Sequence, residues 1–540
     1  MKKNKVLLSA VGEPEEVEIC FLASYLREKG YMVKISTPII KEDDDTVDKD
    51  YIDDIVNYRP DFLGLCINEP TKKYGYKLLD VFHDRLPNTT LFIGGAAVLN
   101  YSCEILSELE YIDYAIEREA EITTFELLEC LNCDGDPSGV KGLTYRNHDG
   151  EIIMNEQATL IPDLDILPFP SRDLIVQHKL KQAYLSTSRG CYMNCSFCII
   201  PEYWKGGETR GWRGRSIKKV VDEMEEINRD LGIINFSIAD GSFEIPTLDR
   251  GVKLAEEILR RDLKIFFMLD LRADMYKKAT DNYLGLLKKA GLVGVFAGIE
   301  AGNDDDLKLY NKGVTVDDSR KLLDDLEKND INYHMGFINF NPYSTYDKLY
   351  ENMEFMNQYN LLGGFGHLSK LHLSKGAGLY EATKKDGLLE DAKYDEAIGY
   401  RFADERIGNL YEFLENYFLE KRKMFGNIFE PLSRYKCFLT VFFNYYDGDE
   451  HIPAKLLVQE FVNYIDAFIL DLNKKNYSCY SKLLNMSQTT NDRNLFAGII
   501  DDELNHQYLT EMMSKMQNKR YSLIRSLIKL NPEYLSKVLL

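Results

Sequence analysis

Over residues 1–140, short apolar runs alternate with stretches of helical period. Residues 5–10 (KVLLSA) predict a strand. A helix follows with Val17, Phe21, Leu22, Tyr25 and Leu26 on one face and Gly30 as its stop. Further strands are predicted at 33–35, 62–67, 91–93 and 114–116, and a closing helix at 122–131. Strands alternating with helices predict a doubly wound α/β domain with a parallel sheet. Residues 141–155 read as a β-hairpin turning at Asp149 and Gly150. The stretch 161–174, with Pro162, Pro168 and Pro170, suits an extended linker. From there strand and helix alternate about six times. Strands are expected at 183–188, 234–239, 264–269, 294–300, 333–338 and 366–373. Ile217, Val220, Val221, Met224 and Ile227 mark one helix face behind the cap Ser216. Six such units make a partial barrel, with its chemistry at the carboxyl ends of the strands. Beyond about 390 the pattern is helical and rich in Leu, Phe and Tyr. The expected division is 1–140, a hairpin and linker at 141–180, a barrel at 181–385 and a mostly α-helical domain at 386–540.

Composition narrows the function. Net charge is −21, so a phosphate-binding face for nucleic acid is not expected. No apolar run is long enough to span a bilayer, and 437–446 is too short. The N-terminal Met1, Lys2, Lys3, Asn4 and Lys5 lead into a strand rather than a signal-peptide core. A cytoplasmic protein without a membrane partner is expected. Ten cysteines in such a chain argue against a disulfide framework.

Three of those cysteines cluster. The strand at 183–188 runs into Arg189, Gly190 and Cys191, with Cys195 and Cys198 following, a C-x3-C-x2-C spacing. Three thiols so spaced can converge in one loop, and thiolates are natural ligands of Fe–S clusters. Four irons held by three cysteines leave one iron open to a small molecule, which makes the site catalytic rather than a closed electron carrier. The alternatives are a zinc knuckle or three packed cysteines. Structural zinc usually takes four protein ligands, and only His178 lies nearby.

This loop, with Phe197 before its last cysteine, resembles the signature of the radical S-adenosylmethionine (SAM) superfamily. The resemblance implies a 4Fe-4S cluster on Cys191, Cys195 and Cys198, with SAM on the open iron. One electron would cleave SAM, and the 5′-deoxyadenosyl radical would take a hydrogen atom from substrate. IADGSFE (238–244), LRAD (271–274), GIEAGNDDDLKLYNKG (298–313) and GFINFNP (336–342) resemble the family's later strand motifs. They imply SAM contacts from Phe197, Asp240, Arg272 and Glu300. The last motif departs at Phe340, where the family usually has glycine, and at Tyr343, Ser344 and Thr345. The family also implies an electron donor such as flavodoxin or ferredoxin.

The N-terminal domain and linker ahead of this core resemble the radical SAM enzymes with a Rossmann-like cobalamin-binding domain. The resemblance implies cobalamin contacts from Cys66, Asn68, Gly94 and Gly95. The first loop, Ser9 to Pro14, has no histidine to sit below the cobalt, and a Gly-Glu-Gly-Glu run is replaced by Arg118, Glu119, Ala120 and Glu121. The expected activity is modification of an unactivated carbon, including methylation through cobalamin. The alternatives are a cobalamin-free peptide maturase (an epimerase or cyclase) and a non-enzymatic Fe–S protein for electron transfer or redox sensing. The substrate is a small molecule or a peptide.

Weaker signals remain. Lys205, Arg210, Arg213, Arg215, Lys218 and Lys219 form a basic stretch, read mostly as a solvated loop and helix start. Cys437 is a candidate hydrogen-atom donor and His372 a candidate acid or base, each set against ordinary packing. His334 and His367 are read as packed histidines. Cys130 and Cys133 have a redox-like spacing without electropositive neighbours in sequence.

Overall fold

The computed structural model describes the chain except residues 1–4, 13–14, 39–47, 206–210, 245–248, 277, 279–281, 365, 505 and 538–540; side chains at 364, 419–435, 438, 506 and 536–537 are also outside it. Arg210 and the first four residues of the N-terminal reading therefore lie outside the described residues.

Five strands form the first parallel sheet: β1 (Lys5–Val11), β2 (Met32–Ile35), β3 (Phe62–Ile67), β4 (Thr90–Gly94) and β5 (Tyr114–Ile116). Their spatial order is β2-β1-β3-β4-β5. The strands read as continuous apolar runs because both faces are covered. Ile19 and Leu22 of helix Val17–Glu28 and Leu127 and Leu128 of helix Glu121–Asn132 pack on one face. Ile52 and Ile55 of helix Lys49–Tyr58 and Leu78, Leu79 and Phe82 of helix Lys72–Arg85 pack on the other. The strand order reverses at β1, so β1 and β3 flank a crevice beyond their carboxyl ends.

The hairpin, set above beside the linker in 141–180, belongs to this sheet. Its strands β6 (Leu143–Arg146) and β7 (Ile152–Met154) continue it antiparallel from β5. They satisfy an edge that β5 would otherwise leave open.

The second sheet starts with β8 (Gln182–Leu185), and a short ribbon of β9 (Ser188–Arg189) and β10 (Arg213–Gly214) follows. Then come β11 (Asn235–Ile238), β12 (Phe266–Arg272), β13 (Leu292–Glu300) and β14 (Asn332–Phe337). All five main strands are parallel, in the order β8-β11-β12-β13-β14. Period-2 alternation sends Leu269, Leu271, Val295 and Ala297 outward onto helices that carry Val220, Val221, Met224, Leu254, Leu287, Leu322 and Leu326. Ser216 caps helix Ile217–Leu231, its hydroxyl accepting from the Lys219 N–H at 3.3 Å.

The expected sixth strand does not form. Residues 366–373 hold a 3-10 turn (Gly366–Leu368) and one parallel bridge, Lys370 to Phe340. The Asn339 and Phe340 N–H groups both donate to the Ser369 carbonyl, which concentrates the pairing at a single point.

The C-terminal part is helical: Glu405–Tyr445, Ile452–Ser487, Arg493–Glu503 and His506–Leu530. Its core also takes in Ile234, Phe266 and Val293 from the amino ends of the second sheet. No helix among the described residues is long and apolar enough to cross a membrane.

Candidate functional site

The three clustered cysteines lie on the loop that leaves β9, at the carboxyl end of the second sheet. Gly190 opens this loop at φ 85°, and a Cβ there would strike the Gly211 backbone. The loop is fastened from the far side of the sheet. The Ser196 N–H donates to the Tyr310 carbonyl at 2.9 Å, its hydroxyl to the Leu309 carbonyl at 2.6 Å, and Asn311 Nδ2 to the Asn194 carbonyl at 2.8 Å. The Phe197 ring meets Tyr310 edge-on, with centroids 5.4 Å apart.

All ten cysteines are free thiols. Burial pushes the Cys191 and Cys198 thiols up, Cys198 to about 11, and the loop's other thiols add to the effect. Two cations work the other way. Arg272 Nη1 lies 3.5 Å from Cys195 Sγ and also lowers Cys191, while Lys312 lowers Cys198. Among the described residues no three His, Cys, Asp or Glu side chains converge as ligands of a single metal ion.

Arg272, at the end of β12, also donates to Asp274 at 2.9 Å and to the Lys312 carbonyl at 3.0 Å. Lys312 is buried, and its Nζ donates to Glu300 Oε1 at 2.7 Å. Glu300 ends β13 at a register shift with φ 71°, an uncommon backbone for a non-glycine residue. Gly298 and Gly336 lie on the same face. A Cβ on Gly298 would come within 3.1 Å of Glu300 Oε1, and one on Gly336 within 3.3 Å of Glu300 Oε2. The missing side chains give the Glu300–Lys312 pair its room. Lys312 escaped the sequence reading because a lysine in a loop looks solvated.

Asp240 lies beneath the loop's entry. Its carboxylate accepts from the Thr187 N–H at 2.7 Å, the Thr187 hydroxyl at 2.5 Å and the Ser188 N–H at 3.0 Å. Burial raises its pKa, against Arg250 and these hydrogen bonds. Phe340 is fully buried against Phe402 and Tyr411 of the helical region. Its neighbours Asn339 and Asn341 are spent on Tyr480, Tyr310 and Asp306. His372 is exposed on a loop. Cys437 is buried, its thiol pushed up to about 12, with Sγ 2.7 Å from where a Gly294 Cβ would stand. His367 is buried and its pKa is lowered to about 3 by that burial.

The basic stretch divides in a way that corrects the solvated reading. Lys205 and Lys218 are exposed, but Arg213 and Arg215 are buried. Arg213 bonds Glu119 Oε2 at 2.8 Å and Arg215 bonds Glu223 Oε2 at 2.5 Å. Arg189 bonds Glu119 at 2.7 Å and Glu121 at 2.5 Å. The run of Arg118, Glu119, Ala120 and Glu121 thus ties the first sheet's rim to the residue that precedes Gly190 and Cys191. Arg172 adds a second tie, at 2.6 Å from the buried Glu15.

Cys66, Asn68, Gly94 and Gly95 do come together. They line a cavity of about 240 Å³ beyond the carboxyl ends of β1, β3 and β4. Glu16, Ile19, Leu22, Ala120 and Glu121 complete the first-sheet side, and Arg189, Ile199, Ile200, Tyr203 and Trp204 close it from the cysteine loop. Among the described residues no histidine lines it. Gly95 sits at φ 100°, where a Cβ would come within 2.5 Å of the Ile67 carbonyl.

Residues 185–356 match the family model described as Radical SAM superfamily. The chain carries a radical SAM domain. Enzymes of this family work with a 4Fe-4S cluster and S-adenosylmethionine. The chain is 28% identical over 366 residues to 4′-phospho-dehydrooxetanocin synthase of Priestia megaterium, covering 63% of this chain and 48% of that protein. It spans about half the length of the curated relatives it matches first. In structure it is similar to the cobalamin-dependent S-adenosylmethionine radical enzyme OxsB with aqua-cobalamin and S-adenosylmethionine bound. The TM-score is 0.67 at 21% identity, over 96% of this chain and 84% of that one. It is also similar to the radical S-adenosylmethionine methyltransferase TsrM of Kitasatospora setae with cobalamin and a [4Fe-4S] cluster bound. There the TM-score is 0.57 at 16% identity, over 74% and 83% of the two chains. At these identities the likeness establishes a shared fold, and for the radical SAM domain the cysteine loop falls inside the matched residues.

Proposed function

We propose that this radical SAM domain acts with a cobalamin to modify an unactivated carbon of a small molecule. Cys191, Cys195 and Cys198 hold the cluster in this reading, and SAM lies by Phe197, Arg272 and Glu300. The observation that carries it is the shared wall. The cavity lined by Cys66, Asn68, Gly94 and Gly95 is closed by Ile199 and Ile200, which directly follow the last cluster cysteine. Such a pair of cofactors supplies hydrogen-atom abstraction at one and methyl or electron transfer at the other.

The donor set fits a cluster: three free thiols on one loop, with Arg272 and Lys312 offsetting part of the burial that raises the Cys191 and Cys198 thiols. The cavity fits part of a cobalamin. It suits a group the size of a nucleotide base, while the corrin ring is too large for it. The loop from Ser9 to Pro14 would offer no histidine to a cobalamin held there.

This chain's residues have distinct parts in the reading. Asp240 fixes Thr187 and Ser188, and Arg189 is fixed by Glu119 and Glu121, so the loop's entry is held from two directions. Arg272 holds Cys195 and the Lys312 carbonyl together. Glu300, paired to Lys312 through Oε1, offers its second oxygen to a cationic ligand group such as the SAM amine. The division of labour follows three units: the first sheet with its hairpin, the second sheet with its helices, and the C-terminal helices. The reading also expects a flavodoxin- or ferredoxin-like electron donor.

Anaerobic reconstitution with iron, sulfide and hydroxocobalamin tests the proposal. The expected product has four irons per chain, a corrin absorbance that survives desalting, and reductive cleavage of SAM. Iron and SAM cleavage without retained corrin would move the reading to the cobalamin-free maturase. A cluster that never cleaves SAM would move it to the electron-transfer protein.

A further inference from the structure

The face of the second sheet turned away from its outer helices carries a carboxyl, Asp270, with no hydrogen-bond or ion-pair partner among the described residues. Strand register sets Asp270, Phe296 and His334 side by side across β12, β13 and β14. One pleat nearer the cysteine loop, the row is Arg272, Gly298 and Gly336. One pleat farther away it is Met268, Gly294 and Asn332, where Cys437 fills the space beside Gly294. Arg272 touches Cys195, and two residues along a strand span about 7 Å. Asp270 therefore lies one step below the cluster loop, above a floor closed by the helix Glu405–Tyr445.

This middle row is open. Phe296 is 38% exposed although its strand neighbours Val295 and Ala297 are buried, and His334 is exposed as well. The rings of Phe296 and His334 lie 5.8 Å apart and tilted by 37°, making an aromatic wall beside the carboxylate. The nearby charges are matched: Arg272 with Asp274, and Lys312 with Glu300. Asp240 is taken up by Thr187 and Ser188. Asp270, half-buried, has no hydrogen-bond or ion-pair partner among the described residues. Burial and the negative charge of Asp240 push its carboxyl up to about 7. A carboxylate kept from water without a partner is costly, and a cation placed beside it removes that cost.

We propose that Asp270 is a substrate-binding residue that receives a cationic nitrogen, while a flat apolar part of the same molecule lies on Phe296. The substrate class is then an amine or another protonated nitrogen compound with a planar portion. The inference rests on the radical SAM reading for the direction of the chemistry, because it sets the bound molecule one pleat from the cluster loop.

The test titrates reconstituted protein, with SAM present and no reductant, against 2-phenylethylamine and against phenylacetate. The amine should bind at least tenfold tighter than the acid. Asp270→Asn should weaken the amine at least tenfold, leave phenylacetate equal or tighter, and leave iron content unchanged. Equal affinities for the two probes, no amine binding at millimolar concentration, or full amine affinity in Asp270→Asn would each overturn the proposal. Reductive SAM cleavage is measured separately on the wild-type protein. Its absence would sink the radical SAM reading, while the amine titration still decides the part of Asp270.

Discussion

Glu119→Gln should be among the most damaging single-atom changes in this protein. Glu119 accepts from Arg189 at 2.7 Å and from Arg213 at 3.0 and 2.8 Å, and from the Ile161 N–H at 2.7 Å. The side chains of Glu119, Arg189 and Arg213 are 5%, 8% and 5% exposed. Arg189 keeps Glu121 after the change. Arg213 keeps the Gly211 and Ile161 carbonyls but no carboxylate, so a buried guanidinium loses its counter-charge. Breaking a buried pair in this way costs about 3–5 kcal/mol. At roughly 2–4 °C per kcal/mol for a unit of 150–250 residues, the first thermal midpoint should fall by about 6–20 °C. The control is Lys218→Ala, which removes an ion pair whose lysine is 78% exposed and should cost under about 1 kcal/mol. Iron content supplies a second readout, because Arg189 stands two residues before Cys191. Differential scanning calorimetry and iron analysis on both variants decide the matter. If Glu119→Gln melts within about 2 °C of Lys218→Ala and keeps its iron, the ion-pair network does not hold the loop.

Cys191→Ala, Cys195→Ala and Cys198→Ala should each lose the bound iron and SAM cleavage, whereas the Cys130, Cys133 double alanine variant should keep both in iron and product assays. Glu300→Gln should weaken SAM binding about tenfold or more by equilibrium dialysis with iron unchanged, while Asp240→Asn, which loosens Thr187 and Ser188, should show itself first as about 1–3 kcal/mol of lost stability in urea. Ile19→Trp should fill the cavity beyond β1 and abolish corrin retention in absorbance spectra with iron unaffected; cob(II)alamin bound to wild type should show no axial-nitrogen hyperfine splitting, the cavity lining having no histidine. Asp270 has a folded pKa raised from 3.8 to about 7. The native state therefore holds the extra proton in that window, and Asp270's contribution to stability falls by up to about 1.4 kcal/mol per pH unit as pH rises from 4 to 7. Urea midpoints of Asp270→Asn should exceed those of wild type at pH 8 and converge with them below pH 4; His334, Arg272 and Asp240, the other titratable or charged groups on or beside that row, stay in place in both proteins.

The parts of the fold legible in the sequence are those in which local pattern and tertiary context agree. The run 62–67 is apolar because β3 is covered on both faces, and the C-x3-C-x2-C loop announces itself within eight residues. The run 366–373 places leucines at 368, 371 and 373 without a strict period of two, and its backbone is claimed at one point by the Ser369 carbonyl, which accepts from Asn339 and Phe340. The buried arginines were illegible for another reason. Arg213 reads as basic and solvated until Glu119, 94 positions earlier, is brought against it by the fold. The site divided along the same line. The loop cysteines could be read from spacing, and Cys66, Asn68, Gly94 and Gly95 from a resemblance. Lys312 and the isolation of Asp270 emerge only when neighbouring strands are set in register.

The tie between Glu119, Glu121 and Arg189 also sets an order of assembly. A ribosome releases the two acids about 70 residues before Arg189 and the cysteine loop. A nascent first sheet therefore carries two unneutralised carboxylates at its rim, and they wait for the guanidiniums of a domain still being made. Only when that second sheet docks are the carboxylates neutralised and the cysteine loop drawn to its place. Iron delivered earlier would meet a loop whose entry lacks the hold of Glu119 and Glu121. Protein without the Glu119 and Glu121 carboxylates should therefore take up iron more slowly on reconstitution than the unaltered chain.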